Sequence, residues 1–261
     1  MTQQNIHLTK HDWFSIYTFS NDWLGADIMR GVAWEPHIVK FLNNNLKYYH
    51  TFFDVGSNYG WHSIVSSKLC KCVHSFEPQT VMYEIQNKSI KYNNIDNIVQ
   101  HHVAVGDKDD YIQMTAIDYS IDSLNIGDLS VGANGEMVIS KRLDSFDFTS
   151  VDFIKIDVQG YEKFVIQGSL NLIQKCKPTL IVEFENHQMN KFGYNSDNLF
   201  DIIKQLDYEI YFLEHTYPSD HVCVHKSKIK EFEEINNISP LVQSNNLNRN
   251  LENNVTKRIL T

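Results

Sequence analysis

The segment Phe52-Phe53-Asp54-Val55-Gly56-Ser57-Asn58-Tyr59-Gly60 constrains the fold more than any other stretch of the chain. Its aromatic and β-branched residues favour a short strand, and the glycines then allow a tight turn into a helix. Apolar runs of strand length recur at 51–55, 73–76, 98–105, 151–158 and 179–184, with helix-period stretches between several of them. Leu199, Ile202, Ile203 and Leu206 share one helix face, and Ser196 or Asp197 is positioned to cap that helix. A further helix is expected over about 161–173, separated from the next strand by Pro178. Strands alternating with helices imply an open α/β sheet that is mostly parallel. Residues 208–213 and 221–225 leave no room for a crossover helix between them, so they read as an antiparallel terminal pair.

The flanks differ from this regular centre. Residues 1–50, with Trp13, Phe14, Tyr17, Phe19, Trp23 and Trp34, read as an aromatic-rich extension packed onto a main domain at 51–235. Residues 109–141 read as an insertion near the sheet edge, and 236–261 as an asparagine-rich polar tail, flexible or a docking arm. Against 32 Asp+Glu stand 23 Lys+Arg, a net charge of -9. That balance argues against nucleic acid and anionic membrane as partners. No apolar run approaches the ~18 residues of a membrane span, and the amino terminus lacks the apolar run of a signal peptide. Four scattered cysteines read as thiols in a reducing compartment. The expectation is a soluble cytoplasmic protein, and the aromatic N-terminal stretch is compatible with a homo-oligomer.

Three clusters carry the chemistry. Gly56 and Gly60 let a ligand approach the backbone, and Asp54 at the strand end can accept hydrogen bonds from an ammonium or from hydroxyls. Glu77 ends the next strand, roughly 20 positions after the turn, where a carboxylate holds ribose hydroxyls. Asn58 stands where a dinucleotide turn needs its second glycine for pyrophosphate. A ligand with one nucleoside and no phosphate is therefore preferred, and S-adenosylmethionine (SAM) fits. In the third cluster, strand alternation puts Lys155 and Asp157 on one side, with Asp157 at a strand end beside Asp54. A purely structural Lys155–Asp157 or Lys155–Glu183 ion pair is the alternative. The twelve histidines show no zinc spacing, and His62 reads as a structural residue. Trp34 and Glu35 are positioned to cover the cofactor's methionine end, with packing as their default role.

Taken together, DVGSNYGWHSI, HSFEPQ, VAVGD, KRLDSF, FIKIDVQGYEKFVIQGS and KPTLIVEFE resemble the FkbM-type SAM-dependent methyltransferases over about residues 51–185. The resemblance implies a class I (Rossmann-like) methyltransferase fold, SAM as methyl donor, and a hydroxyl of a sugar or small glycosylated molecule as acceptor. It matches Asp54, Gly56, Asn58 and Gly60 to the SAM loop, Glu77 to the ribose-binding acid, and Ala104 and Val105 to a segment near the adenine. Gln159 stands where the family usually has Glu. The expected reaction is O-methylation, with Asp157 as general base or acceptor anchor and Lys155 and Glu183 as its electrostatic partners. Asp157 and Glu183 are hard oxygen ligands for a divalent ion, but two carboxylates do not establish a metal site. The rival readings are a catalytically silent SAM-fold binding subunit and a methyltransferase of a non-sugar small molecule.

Overall fold

A computed structural model describes residues 6–117, 124–213, 220–236 and 257–259. The chain begins with a hairpin, β1 (Ile6–Lys10) and β2 (Ser15–Phe19), followed by α1 (Trp23–Met29) and α2 (Pro36–Asn45). The glycine turn joins β3 (Thr51–Val55) to α3 (Trp61–Ser67); β4 (Cys72–Phe76), α4 (Thr80–Tyr92) and β5 (Ile98–His101) follow. The stretch expected as one strand over 98–105 divides at His102–Val103. Its second part, β6 (Ala104–Val105), leaves the main sheet to pair with Ser140 and Lys141. It joins β7 (Asp110–Thr115) and β8 (Asn134–Lys141) in a small sheet ordered β6-β8-β7. Two of its strands, β7 and β8, come from the stretch 109–141 read as an insertion; β6 precedes it.

The chain returns through β9 (Phe153–Ile156), α5 (Glu162–Gln167), α6 (Leu170–Cys176), β10 (Thr179–Glu183) and α7 (Asn186–Met189). Then come α8 (Ser196–Gln205), β11 (Tyr208–Leu213), β12 (Asp220–His225), α9 (Ile229–Asn236) and β13 (Lys257–Ile259). The helix expected over 161–173 is two helices. They break at Gly168, where a Cβ would meet the Gly106 carbonyl oxygen at 1.8 Å. The cap of α8 is Asn195, one residue before the expected position, in a reciprocal box with Asn198.

The main sheet runs β13-β11-β12-β10-β9-β3-β4-β5. Every pairing from β5 to β10 is parallel, and β12 is antiparallel to both of its neighbours. The antiparallel pair read from the sequence is present, but its reversed strand lies inside the sheet. Val222, Cys223 and Val224 are fully buried in succession, so β12 must be covered on both faces. On one face, Val165, Ile166, Leu172, Leu199 and Phe200 from α5, α6 and α8 pack against Phe53, Ile154 and Leu180. On the other, Ile38, Phe41 and Leu42 of α2 and Phe232 of α9 cover Phe52, Phe153, Ile181 and Val222. The N-terminal segment thus contributes directly to the core, and its hairpin and α1 pack over α3 and α4. Of the asparagine-rich tail, only β13 lies within the described residues beyond Asn236, parallel to β11. Among the described residues, no helix is long and apolar enough to cross a membrane.

Candidate active site

Parallel register places Asp54 of β3 beside Lys155 of β9, and β10 places Glu183 opposite Asp220 of β12. Strand alternation puts all four on the α2 face, at the carboxyl ends of the parallel strands. The row is polar where the same face lower down is apolar. Lys155 Nζ donates to Asp157 Oδ2 at 2.7 Å. Gln159 Nε2 donates to Asp157 Oδ1 at 2.9 Å and to Glu183 Oε2 at 3.1 Å. The start of α2 closes the row from above: His37 Nε2 lies 2.6 Å from Asp220 Oδ2, and Glu35 Oε2 lies 3.7 Å from Lys155 Nζ.

Two clefts open over these strand ends. The first, of about 580 Å³, is lined by Glu77, Ala104, Val105, Phe76 and Met82, with Ile126 and Leu129 from the insertion. The second, of about 1330 Å³ and open to solvent, is lined by Trp23, Trp34, Glu35, His62, Lys155, Glu183 and Glu185. Gly56, Asn58, Gly127, Asp157 and Gln159 line both, so the clefts meet over the glycine turn. The insertion roofs this junction. Asp22 anchors it by accepting from Ile126 N and Tyr59 Oη, at 2.9 and 3.0 Å.

The sequence-predicted residues divide accordingly. Gly56, Asn58, Glu77, Ala104, Val105 and Asp157 line the first cleft, and Lys155 and Glu183 the second. Asp54 and Gly60 line neither. Asp54 is buried behind the turn, where its Oδ2 accepts from Ser63 Oγ at 2.6 Å and ties β3 to α3. Gly60, at φ 81°, faces Gln86, whose amide a Cβ would meet at 2.5 Å. Glu77 accepts from the backbone N–H groups of Asn58 and Gln79, both at 2.9 Å, which fixes its carboxylate at the cleft wall.

Burial dominates the electrostatics. It pushes Glu77 to about 7 and Asp220 to about 8, and raises Glu183 well above the carboxylate range, with the Asp157 charge adding to the effect. For Asp157 burial also acts upward, but Lys155 and the hydrogen bonds of Lys155, Gln159 and Glu183 outweigh it and hold its pKa below the ordinary value. Of the two, Asp157 is therefore the stronger acid and Glu183 the weaker. His62 is held neutral by desolvation.

These walls fit SAM. Glu77 offers a carboxylate to ribose hydroxyls, Phe76, Ala104 and Val105 an apolar bed for a base, and the shared turn a path into a second cleft rich in carboxylates. Among the described residues, no group of three or more His, Cys, Asp or Glu is arranged to hold a metal ion. Sequence reasoning missed Asp220, His37 and Asp128 as site residues. Asp128, bonded to Gln188, reaches the cleft on the insertion, and no local motif announces any of the three.

The parallel order β5-β4-β3-β9-β10, continued by β12 and β11 with β12 reversed, is that of a class I methyltransferase. More narrowly, the chain belongs to the FkbM family of SAM-dependent methyltransferases: the profile of the methyltransferase FkbM domain matches residues 54–210, more than half of the chain. No curated protein matches the sequence significantly. Among solved structures, it is similar to methyltransferase FkbM from Methylobacillus flagellatus, with 16% identity, TM-score 0.47 and coverage of 69% of this chain. The chain spans only 44% of that protein's length. It is also similar to an rRNA methylase from Streptococcus thermophilus (11% identity, TM-score 0.46, 71% and 91% coverage). TYW2 of M. jannaschii, solved with AdoMet, is 12% identical with TM-score 0.43 and 86% coverage of each chain.

Proposed function

We propose that the chain transfers a methyl group from SAM to a hydroxyl of a sugar or other small neutral acceptor seated in the second cleft. The observation that carries this reading is the meeting of the two clefts at Asp157, an ionised carboxylate at the point where donor and acceptor would face each other. The rim supports a sugar in particular. Trp23 is 54% exposed and packs edge-on against Trp34 with ring centroids 5.9 Å apart, an apolar platform beside the polar groups of Asn125, Asp128 and Gln159.

SAM, when bound, supplies an electrophilic methyl group. The acceptor hydroxyl donates its hydrogen bond to Asp157, which orients an oxygen lone pair toward that methyl. An acceptor oxygen gaining the methyl that bound SAM would supply becomes strongly acidic, and Asp157 would take its proton. A carboxylate of low basicity is sufficient for so acidic a donor. Lys155 keeps Asp157 charged until then, and Gln159 fixes its other oxygen. Glu183, pushed upward by burial, accepts the second hydrogen bond of the Gln159 amide and so holds that bridge in place.

The test is incubation with labelled SAM and a panel of glycans, small alcohols, amines and duplex RNA, followed by mass spectrometry. Label in a hydroxyl of a small neutral acceptor supports the reading. Label only in RNA or in amines would overturn it.

A further inference from the structure

Glu35 has no part in the transfer step, yet the fold holds it in a costly position. It sits just before α2 at φ 41°, in the left-handed region, and is followed by Pro36. Side-chain-bearing residues seldom adopt positive φ, and a following proline favours extended backbone instead. Strain of this kind persists where the surroundings impose it, and it clusters at ligand sites. Here it turns a carboxylate into the second cleft. Glu35 is 7% exposed, and its Oε2 has no hydrogen-bond partner. Lys155 Nζ, bonded to Asp157 at 2.7 Å, lies 3.7 Å away, beyond hydrogen-bond reach, and His62 Nε2 at 3.3 Å makes no hydrogen bond. A carboxylate held here without a donor would be destabilised, which keeps Glu35 largely protonated until a cation arrives. An ammonium entering the second cleft would give Glu35 Oε2 a charged donor.

We propose that Glu35 receives the α-ammonium of SAM. The proposal rests on the cofactor reading above and on the layout of the clefts. With the nucleoside between Glu77 and Ala104–Val105, the amino-acid tail leads over Gly56 and Asn58, which both clefts share, into the second, where Glu35 stands.

Binding is then coupled to a proton. The charged or titratable groups facing Glu35 are Lys155 and Asp157 at the end of β9, Glu183 on β10, Asp220 on β12, His37 on α2 and His62 on α3. Burial foremost, then Asp220 and Asp157, push Glu35 to about 8 against the pull of Lys155 and His37. Near pH 7 it is mostly protonated without cofactor. An arriving ammonium favours the carboxylate, so the proton leaves to solvent and SAM affinity rises from pH 6 to pH 7, below the range in which an α-amino group loses its own proton.

Calorimetry at pH 7 in phosphate and in Tris, whose ionisation heats differ, counts the proton. Wild-type protein is expected to release a substantial fraction of a proton per SAM or S-adenosylhomocysteine. With 5′-methylthioadenosine, which lacks the amino acid, it should release only what Glu77 contributes. Glu35→Gln is expected to abolish the difference and to weaken SAM and S-adenosylhomocysteine by roughly 10- to 100-fold. Its affinity for methylthioadenosine should be unchanged, which also shows that the variant is folded. Equal proton release for SAM and methylthioadenosine in the wild type overturns the proposal without any variant, as does unchanged SAM affinity in Glu35→Gln. A wild-type protein that binds neither ligand overturns the cofactor reading itself.

Discussion

Asp157 and Gln159 are each legible only through their neighbours. Asp157, held ionised by Lys155, suits a late proton transfer better than early abstraction. Asp157→Asn should lower kcat by about 10²-fold, the lower end of general-base effects, with SAM affinity little changed; steady-state kinetics at saturating SAM checks it. Gln159 is a bridge: its amide donates to both Asp157 and Glu183. Gln159→Glu removes that donor and adds a third acid, so it should cost about 1–3 kcal/mol, more at pH 8 than at pH 6, in urea titrations. At this scale the sequence is informative where a charge interrupts an apolar strand, as at Lys155, Asp157 and Glu183. It is uninformative for Asp220 and His37, whose roles arise only when distant segments meet on one face of the sheet. Glu35 lies between. Its place beside a proline is visible in the sequence, but the left-handed backbone that aims it is not.

Among the elements, the glycine turn is tightly constrained. At Gly56, φ is 82°, and a Cβ would lie 1.9 Å from the Asp157 carbonyl oxygen. Gly56→Ala should therefore shift both the turn and the end of β9, costing about 1–3 kcal/mol in strain and weakening SAM binding together with stability, measured by calorimetry and thermal melts. The strand–turn–helix was readable because its residue types permit little else there. The inner position of β12 was not, since an antiparallel pair suits an edge and an interior equally until burial on both faces decides. The tail is a further element-scale case. A chain ending at Asn236 keeps Phe232 in the core and the Asn236–Asn45 amide pair, and loses only β13 from the described sheet. Its melting temperature and SAM affinity should stay close to those of the full chain.

Across the whole molecule, buried acids set the response to pH. Burial raises Glu35 and Asp220 to about 8 and Glu77 and Glu162 to about 7, whereas in the unfolded chain such groups titrate near about 4. The folded state thus carries extra protons, and its stability falls as pH rises through those values. Desolvated His37, His62, His74 and His101 act oppositely, since the unfolded chain binds more protons than they do below about pH 6.5. Above that pH the histidine contribution fades as the unfolded imidazoles lose their protons, and the carboxyl trend dominates. The melting temperature without cofactor should fall between pH 6.5 and 8.5, and a rise across that window in a thermal scan would contradict the assignment. The threading of β12 between β10 and β11 has a consequence for synthesis on the ribosome. β10 emerges long before the strand that will cover it, presenting Leu180, Ile181 and Val182 along an unpaired edge. Because β11 reaches the sheet only through β12, that half of the sheet cannot close until Asp220–His225 has left the exit tunnel. Nascent chains stalled before Asp220 should therefore be the species that holdase chaperones capture and proteases clear.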